Sequence, residues 1–260
     1  MILDDLATHA KLRVENDMLQ KPFEQIKVEA YALSKGTFVF EEALKGDSIS
    51  VICEVKKASP SKGVISKDFP YLDIAKAYED SGATCISVLT EPKWFLGSDS
   101  IFQEIRKTTS IPMLRKDFTI AEYQIYQSKI FGADAILLIC ALLDTNTIKH
   151  YIEICDTLGI SALVETHNAE EITSAIQAGA RIIGVNNRNL TDFSEDLSTT
   201  STLKKNIPKE ILFVAESGIK TPEDGISLLK DGANALLIGE ALMKCDNIKT
   251  FLTNIKGGML

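Results

Sequence analysis

Histidine and tryptophan are scarce in this 260-residue chain: His9, His150 and His167 are its three histidines and Trp94 its one tryptophan. Three imidazoles far apart in sequence and without ligand spacing disfavour a histidine-based metal site, so no metal is expected. Cys53, Cys85, Cys140, Cys155 and Cys245 make an odd count with no C-x-x-C pair. Most lie inside apolar runs, the pattern of free buried thiols in a reducing compartment. Net charge is −8 and no basic run is long enough to follow a phosphate backbone, so nucleic acid is not an expected partner. No apolar run reaches membrane-spanning length, and the opening MILDDLATHAKLRVEND scatters acids and bases where a secretory signal would carry an apolar core. The expectation is a cytosolic protein with no membrane contact.

The chain does have apolar content, at 45%, enough for one large core, and an α/β barrel of this length commonly forms one domain. Past residue 48, short β-rich runs recur: ISVICEV (49–55), CISVLTE (85–91), IPMLRKDF (111–118), AILLICAL (135–142), SALVETH (161–167), RIIGVNN (181–187), ILFVAES (211–217) and ALLIG (235–239). Between them lie stretches such as YLDIAKAYEDSGA, AEYQIYQSKIFGA, AEEITSAIQAGA and TPEDGISLLKDGA, with apolar residues at helical spacing. These four end in the same pair: Gly82-Ala83, Gly132-Ala133, Gly179-Ala180 and Gly232-Ala233. A glycine there suits the left-handed residue that closes a helix. Eight such units, repeating at roughly 25 residues, predict a (β/α)8 TIM barrel. The alternative is a doubly wound open sheet, which would more usually carry a G-x-G-x-x-G turn after its first strand; this chain has none. Residues 1–260 are therefore read as one barrel domain in which about 1–47 form a helical N-terminal extension, either a structural cap or an element near the site.

A parallel barrel places its site at the C-terminal strand ends, with alternate side chains turned inward. Parity pairs Ile52 with Glu54 and Lys56, and sets Lys57 and Cys53 on the other face. It further groups Leu114 with Lys116 and Phe118, Leu163 with Glu165, Gly184 with Asn186 and Arg188, Val214 with Glu216, and Leu237 with Gly239. The mouth then holds Glu54, Lys56, Lys116, Glu165, Asn186, Arg188 and Glu216. Any one of them could be a solvated charge near a loop. Together they are costly to bury unless paired, and three carboxylates facing three cations permit pairing and supply proton donors and acceptors. Ala-Glu-Ser-Gly-Ile (215–219) and Ile-Gly-Glu-Ala-Leu-Met (238–243) place small residues where backbone N–H groups can meet a phosphate, through Gly218, Gly239 and the N–H of Glu240. Glu240 itself should point outward, since its carboxylate would repel the anion.

The motifs EVKKASPSKG, SVLTE followed by FLG, LRKDF, LVETH, GVNNRNL, VAESGI and LIGEALM, with the helical extension, occur in an order in which the chain resembles the indole-3-glycerol-phosphate synthase family over essentially its whole length. The resemblance implies a cofactor-free carboxy-lyase of tryptophan biosynthesis. Its reaction closes the pyrrole ring of 1-(o-carboxyphenylamino)-1-deoxyribulose 5-phosphate, with loss of carbon dioxide and water. It implies a small phosphorylated substrate and no obligate protein partner. It assigns Lys116 as the general acid, Lys56 to the anthranilate carboxylate and later proton donation, Glu165 as the base of the dehydration, and Glu54 as the residue holding the lysines. Asn186, Glu216 and Ser217 would orient the substrate. Ser59 belongs to a segment, 59–63, expected as a mobile loop over the substrate, and Pro60, Phe95, Phe118, Leu137 and Leu190 would contact its ring. The family often has serine where Glu240 stands, and glutamate is a familiar variant. Two other classes stay open on the residues alone: a Schiff-base aldolase using an inward lysine, and a catalytically silent binding barrel. Lys56 and Arg188 should lower the pKa of Lys116 and the carboxylates should oppose them, with no net sign legible from sequence.

Overall fold

The alternation of apolar runs and helical patterns becomes an alternation of strands and helices in a computed structural model, which describes residues 2–46, 49–189 and 192–258. The chain opens with α1 (Ile2–Gln20), α2 (Phe23–Ala32) and α3 (Val39–Leu44). There follow β1 (Ser50–Val55), a small hairpin of β2 (Ala58–Ser59) and β3 (Gly63–Val64), α4 (Tyr71–Asp80), β4 (Cys85–Leu89), α5 (Asp99–Arg106), β5 (Met113–Lys116), α6 (Glu122–Ile130) and β6 (Ala135–Ile139). The second half runs α7 (Thr145–Leu158), β7 (Ser161–Thr166), α8 (Ala169–Gln177), β8 (Ile182–Asn186), α9 (Ser198–Lys204), β9 (Leu212–Glu216), α10 (Pro222–Lys230), β10 (Ala235–Ile238), α11 (Glu240–Met243) and α12 (Ile248–Gly257). Among the described residues eight strands, β1 and β4 to β10, pair in parallel in chain order, and β10 returns to β1 to close the barrel. The open doubly wound sheet is thereby excluded.

The four Gly-Ala pairs do what their repetition predicts. Gly82, Gly132, Gly179 and Gly232 have φ of 87°, 83°, 86° and 100°. Each following alanine donates its N–H back across the last turn, Ala83 to Tyr78 and Ala180 to Ala175 both at 3.0 Å. These bonds satisfy carbonyls that the helix end would otherwise leave open, and they aim the chain into the next strand. At the opposite ends Ser98, Asp144, Asn168 and Thr221 accept N–H bonds as side-chain caps of α5, α7, α8 and α10.

Strand parity separates two cores. Outward residues such as Val51, Cys53, Val55, Ile86, Val88, Leu138 and Val164 pack against the helices. Inward residues Ile52, Leu114, Leu137, Leu163, Val214 and Leu237 fill the barrel, where Phe40 and Leu44 of α3 join them. Helix α3 thus plugs the barrel core as a cap. Cys53 is buried on the outer side as expected, whereas Cys85 is buried inside the barrel. All five thiols are free, and Cys140 and Cys245 are only half-buried. The 59–63 segment, expected as a mobile loop over the substrate, is the turn of a small hairpin. Ala58 and Ser59 pair antiparallel with Val64 and Gly63, and Gly63 takes the left-handed turn conformation at φ 64°.

Candidate active site

Inside the barrel the layer above Ile52, Leu114, Leu163, Val214 and Leu237 is no longer apolar, because the next inward positions are Glu54, Lys116, Glu165, Glu216 and Gly239. These residues line a cavity of about 510 Å³ at the C-terminal strand ends. The same cavity receives Lys56, Ser59, Pro60, Phe95, Phe118, Leu137, Asn186, Arg188, Ser217, Gly218 and Glu240. Leu190, expected as a ring contact, lies outside the described residues. Lys57 does not reach the cavity; its ammonium sits 6.0 Å from the centre of the Phe69 ring.

The mouth charges are paired in two groups. Lys56 Nζ lies 2.8 Å from Glu54 Oε1, and Ser87 Oγ donates to Glu54 Oε2 at 3.4 Å. Lys116 Nζ lies 3.3 Å from Glu165 Oε2 and 3.5 Å from Glu216 Oε2. Arg188, the third expected cation, turns away from these carboxylates. It pairs with Glu195 and donates to Ser61 Oγ at 2.8 Å, fastening the β2–β3 hairpin to the chain after β8. Its own backbone N–H donates to Asn186 Oδ1 at 3.0 Å. Parity placed the Arg188 side chain in the mouth correctly but could not supply its partner, because Glu195 lies beyond the strand.

Burial sets the electrostatics. It works against the charge of Lys116, but Glu165, Glu216 and Glu54 outweigh it and raise this lysine above its ordinary value. The net sign is therefore opposite to a lowering by Lys56 and Arg188. Burial likewise opposes the charges of Glu54 and Glu165. Lys56 and Lys116 hold Glu54 below the usual carboxylate range, and Lys116, His167 and a hydrogen bond from Asn186 do the same for Glu165. Glu216 goes the other way. Burial, helped by Glu165 and Glu54, pushes it up to about 8 despite the pull of Lys116. Its Oε1 has no hydrogen-bond partner among the described residues.

Two glycines make room for this layer. A Cβ at Gly184 would stand 2.1 Å from Glu216 Oε1, and one at Gly239 would stand 2.5 Å from Glu54 Oε1 and 2.9 Å from Lys56 Nζ. Gly239 therefore serves the Glu54–Lys56 pair as well as opening α11. After β9, Ser217 and Gly218 are successive positive-φ residues, at 65° and 78°. Glu240 lines the cavity, but its carboxylate is drawn along its helix to Lys244 Nζ at 2.7 Å. Over the mouth the Phe95 and Phe118 rings stand 6.1 Å apart at 43°.

Several contributors escaped the sequence reading. His167 follows Glu165 by two residues and shares its inward parity, a signal that was present and not used. Ile2, Leu3 and Leu6 of α1 also line the cavity. They are held there by Arg13, whose guanidinium reaches both oxygens of Asp117 at 3.0 and 2.6 Å, between Lys116 and Phe118. Asp117 also accepts from Thr90 Oγ1 at 2.7 Å. The extension is therefore a cap through α3 and a wall of the site through α1.

Comparison with known proteins finds relatives along the whole chain. The chain is 54% identical over 258 residues to an indole-3-glycerol phosphate synthase of Ruminiclostridium cellulolyticum, covering 99% of each. It is 52% identical to one of Endomicrobium trichonymphae, covering 98% of this chain and 100% of that one. Among solved structures, a thiamine phosphate pyrophosphorylase from Pyrococcus furiosus superposes with a TM-score of 0.61 at 16% identity, over 84% of this chain and 96% of that one, a likeness of fold alone. A sequence model described as indole-3-glycerol phosphate synthase matches residues 3–255, and the chain belongs to that family.

Proposed function

We propose that the protein is a carboxy-lyase of tryptophan biosynthesis that converts 1-(o-carboxyphenylamino)-1-deoxyribulose 5-phosphate to indole-3-glycerol phosphate, carbon dioxide and water. The observation that carries the mechanism is the position of Lys116, a buried ammonium held between Glu165 and Glu216 inside the cavity. Ring closure turns the substrate carbonyl oxygen into an alkoxide-like centre. That oxygen is more basic than any amine, so a lysine with a raised pKa still protonates it and is always charged when substrate arrives. Lys56, paired with Glu54, meets the anthranilate carboxylate and donates a later proton. Glu165, kept ionised, removes the proton lost in the dehydration. Asn186, Glu216 and Ser217 orient the chain of the sugar, and Pro60, Phe95, Phe118 and Leu137 flank the ring, with Ser59 beside them. The phosphate lies at the loops after β9 and β10, where left-handed Ser217 and Gly218, together with Gly239 and the Glu240 N–H, favour backbone contact with an anion. The protein works in the cytosol, without cofactor, nucleic acid or an obligate protein partner.

The test is incubation of the purified chain with the carboxyphenylamino ribuloside phosphate while indole fluorescence is followed; a folded protein that forms no product defeats the proposal. The raised pKa of Lys116 also weighs against an aldolase, which needs a neutral amine to attack a carbonyl. Borohydride trapping of a sugar phosphate on Lys56 or Lys116 would reverse that preference.

A further inference from the structure

Charge balance leaves a requirement that the residues assigned above do not meet. The substrate loses a carboxylate as neutral carbon dioxide, so each turnover consumes one proton from solvent. Lys116 gives up its proton to the new hydroxyl deep in a cavity that substrate fills. The structure offers a second way in. A separate cavity of about 600 Å³ beside the mouth is lined by His167, Asn168, Glu171, Asn187, Arg188 and Asp196. His167 lines this second cavity, and Glu165, two residues before it on β7, lines the first. Its Nε2 lies 3.5 Å from Glu165 Oε1, within ion-pair range though without hydrogen-bond geometry, and Glu165 Oε2 lies 3.3 Å from Lys116 Nζ. Its Nδ1 lies 3.2 Å from Glu171 Oε2, and the same oxygen accepts the His167 backbone N–H at 2.8 Å. Glu171 is itself positioned as a partner of the α8 cap Asn168.

We infer that His167 is the proton inlet of the site: it receives a proton that enters from water in the side cavity through Glu171 and passes one through Glu165 to Lys116. The inference rests on the function proposed above. The steps balance. Nε2 of His167 is buried and faces Glu165, so the solvent side of the ring is Nδ1, beside Glu171. Glu171, in the side cavity, takes a proton from hydronium and gives it to Nδ1 of the neutral Nε2–H imidazole. The imidazolium gives its Nε2 proton to the Glu165 carboxylate, and the resulting acid gives its proton to the Lys116 amine. The neutral Nδ1–H ring returns to the Nε2–H tautomer by proton exchange before the next cycle, which leaves a neutral imidazole, two carboxylates and an ammonium as before. The proton that Glu165 later removes in the dehydration replaces the one Lys56 donates, so one solvent proton is consumed per turnover. The charged groups facing the ring favour this. Glu171 from α8, Glu165 from β7 and Glu216 from β9 raise His167 above its ordinary value against the effect of burial. The nearby Cys140 thiol, donating to the Glu171 carbonyl at 3.5 Å and pushed up to about 12 by burial, stays neutral. Arg188 and Asp196, on the far wall, are engaged respectively by Glu195 and by the backbone N–H of Ser198.

The experiment measures kcat and KM against pH for wild type, His167→Gln, His167→Ala and, as a control, the exposed His150→Gln. For wild type, kcat falls as pH rises through the His167 pKa, since the imidazolium is the donor. Removing His167 should lower kcat about tenfold or more, with KM within about twofold, and abolish that alkaline limb. Added imidazole should restore turnover to His167→Ala, whose side cavity can admit it, and should not affect His150→Gln. Three results overturn the inference: kcat within twofold of wild type in both His167 variants, an alkaline limb that survives in His167→Gln and so belongs to Glu216, or a loss in His167→Ala that imidazole leaves untouched. A wild type without turnover defeats the proposed function instead. Should His167→Ala not fold, Glu171→Gln gives a second reading: it should shift the alkaline limb of kcat to lower pH, and an unmoved limb counts against the inlet.

Discussion

At the scale of single residues, the adjacent lysines of EVKK separate by the two-residue period of a strand. Lys56 meets Glu54 in the cavity, while Lys57 lies outside it against Phe69. Replacing Lys56 with alanine should cut kcat about a hundredfold or more, the scale of a positioned proton donor, and leave buried Glu54 without its closest cation. Lys57→Ala should keep turnover within about twofold, and steady-state kinetics on the two variants separates the faces. Glu216 carries a pH signature. Its carboxyl has a folded pKa near 8 against an ordinary 4.5, so the folded state binds more protons than the unfolded chain between these values. Stability contributed by the protonated group is thus present at low pH and declines as pH rises toward 8. His167, raised as well, contributes in the same direction, so the comparison must be a difference. Urea midpoints of wild type should fall from pH 5 to pH 8 more steeply than those of Glu216→Gln, and parallel slopes would argue against a proton on Glu216. Parity made Glu54, Lys56, Lys116, Glu165 and Glu216 legible from sequence, since it needs only a strand and its direction. Arg188's partner and the sign of the Lys116 shift were not legible, because both depend on distances between elements far apart in the chain.

At the scale of elements, the Gly-Ala repeat was readable because a helix end is a local event, fixed by the φ of one residue and two short hydrogen bonds. Gly179 offers a clean measurement. Its φ is 86° and an added Cβ would meet nothing within 4 Å, so alanine there suffers the left-handed backbone and no clash. Gly179→Ala should cost about 1–2 kcal/mol in urea unfolding, with kcat unchanged. The β2–β3 hairpin was not readable in the same way. Its strands are two residues each, too short for any alternation pattern, and its fastening is the distant Arg188–Ser61 bond. The interior wall of the extension was equally hidden, since an amphipathic helix shows which face it buries but not against what.

At the scale of the whole molecule, the barrel is closed at one end by α3, and α1 shapes the other. The Arg13–Asp117 bridge ties the second of these jobs to the cavity, because Asp117 is the chain neighbour of Lys116 and its side chain is only 2% exposed. Burial opposes the charge on Asp117, and Arg13 and Arg115 hold it ionised nonetheless. Arg13→Ala leaves that carboxylate with Arg115 at 3.5 Å, Thr90 and the Phe118 N–H, and the lost charged hydrogen bonds should cost about 1.5–3 kcal/mol. It should also raise KM more than it lowers kcat as α1 loosens from the cavity; a lowered unfolding midpoint with unchanged KM would confine α1 to a structural role. The voids at Gly184 and Gly239 act on a longer timescale than any of these measurements. Each is shaped to a charged head across the layer, so an alanine at 184 forces Glu216 to shift and one at 239 forces Glu54 and Lys56 to shift. Either order of substitution is therefore opposed: an added methyl displaces the groups assigned to the substrate, and changing those groups first removes them. The two glycines and the charged layer are thereby held together in descent.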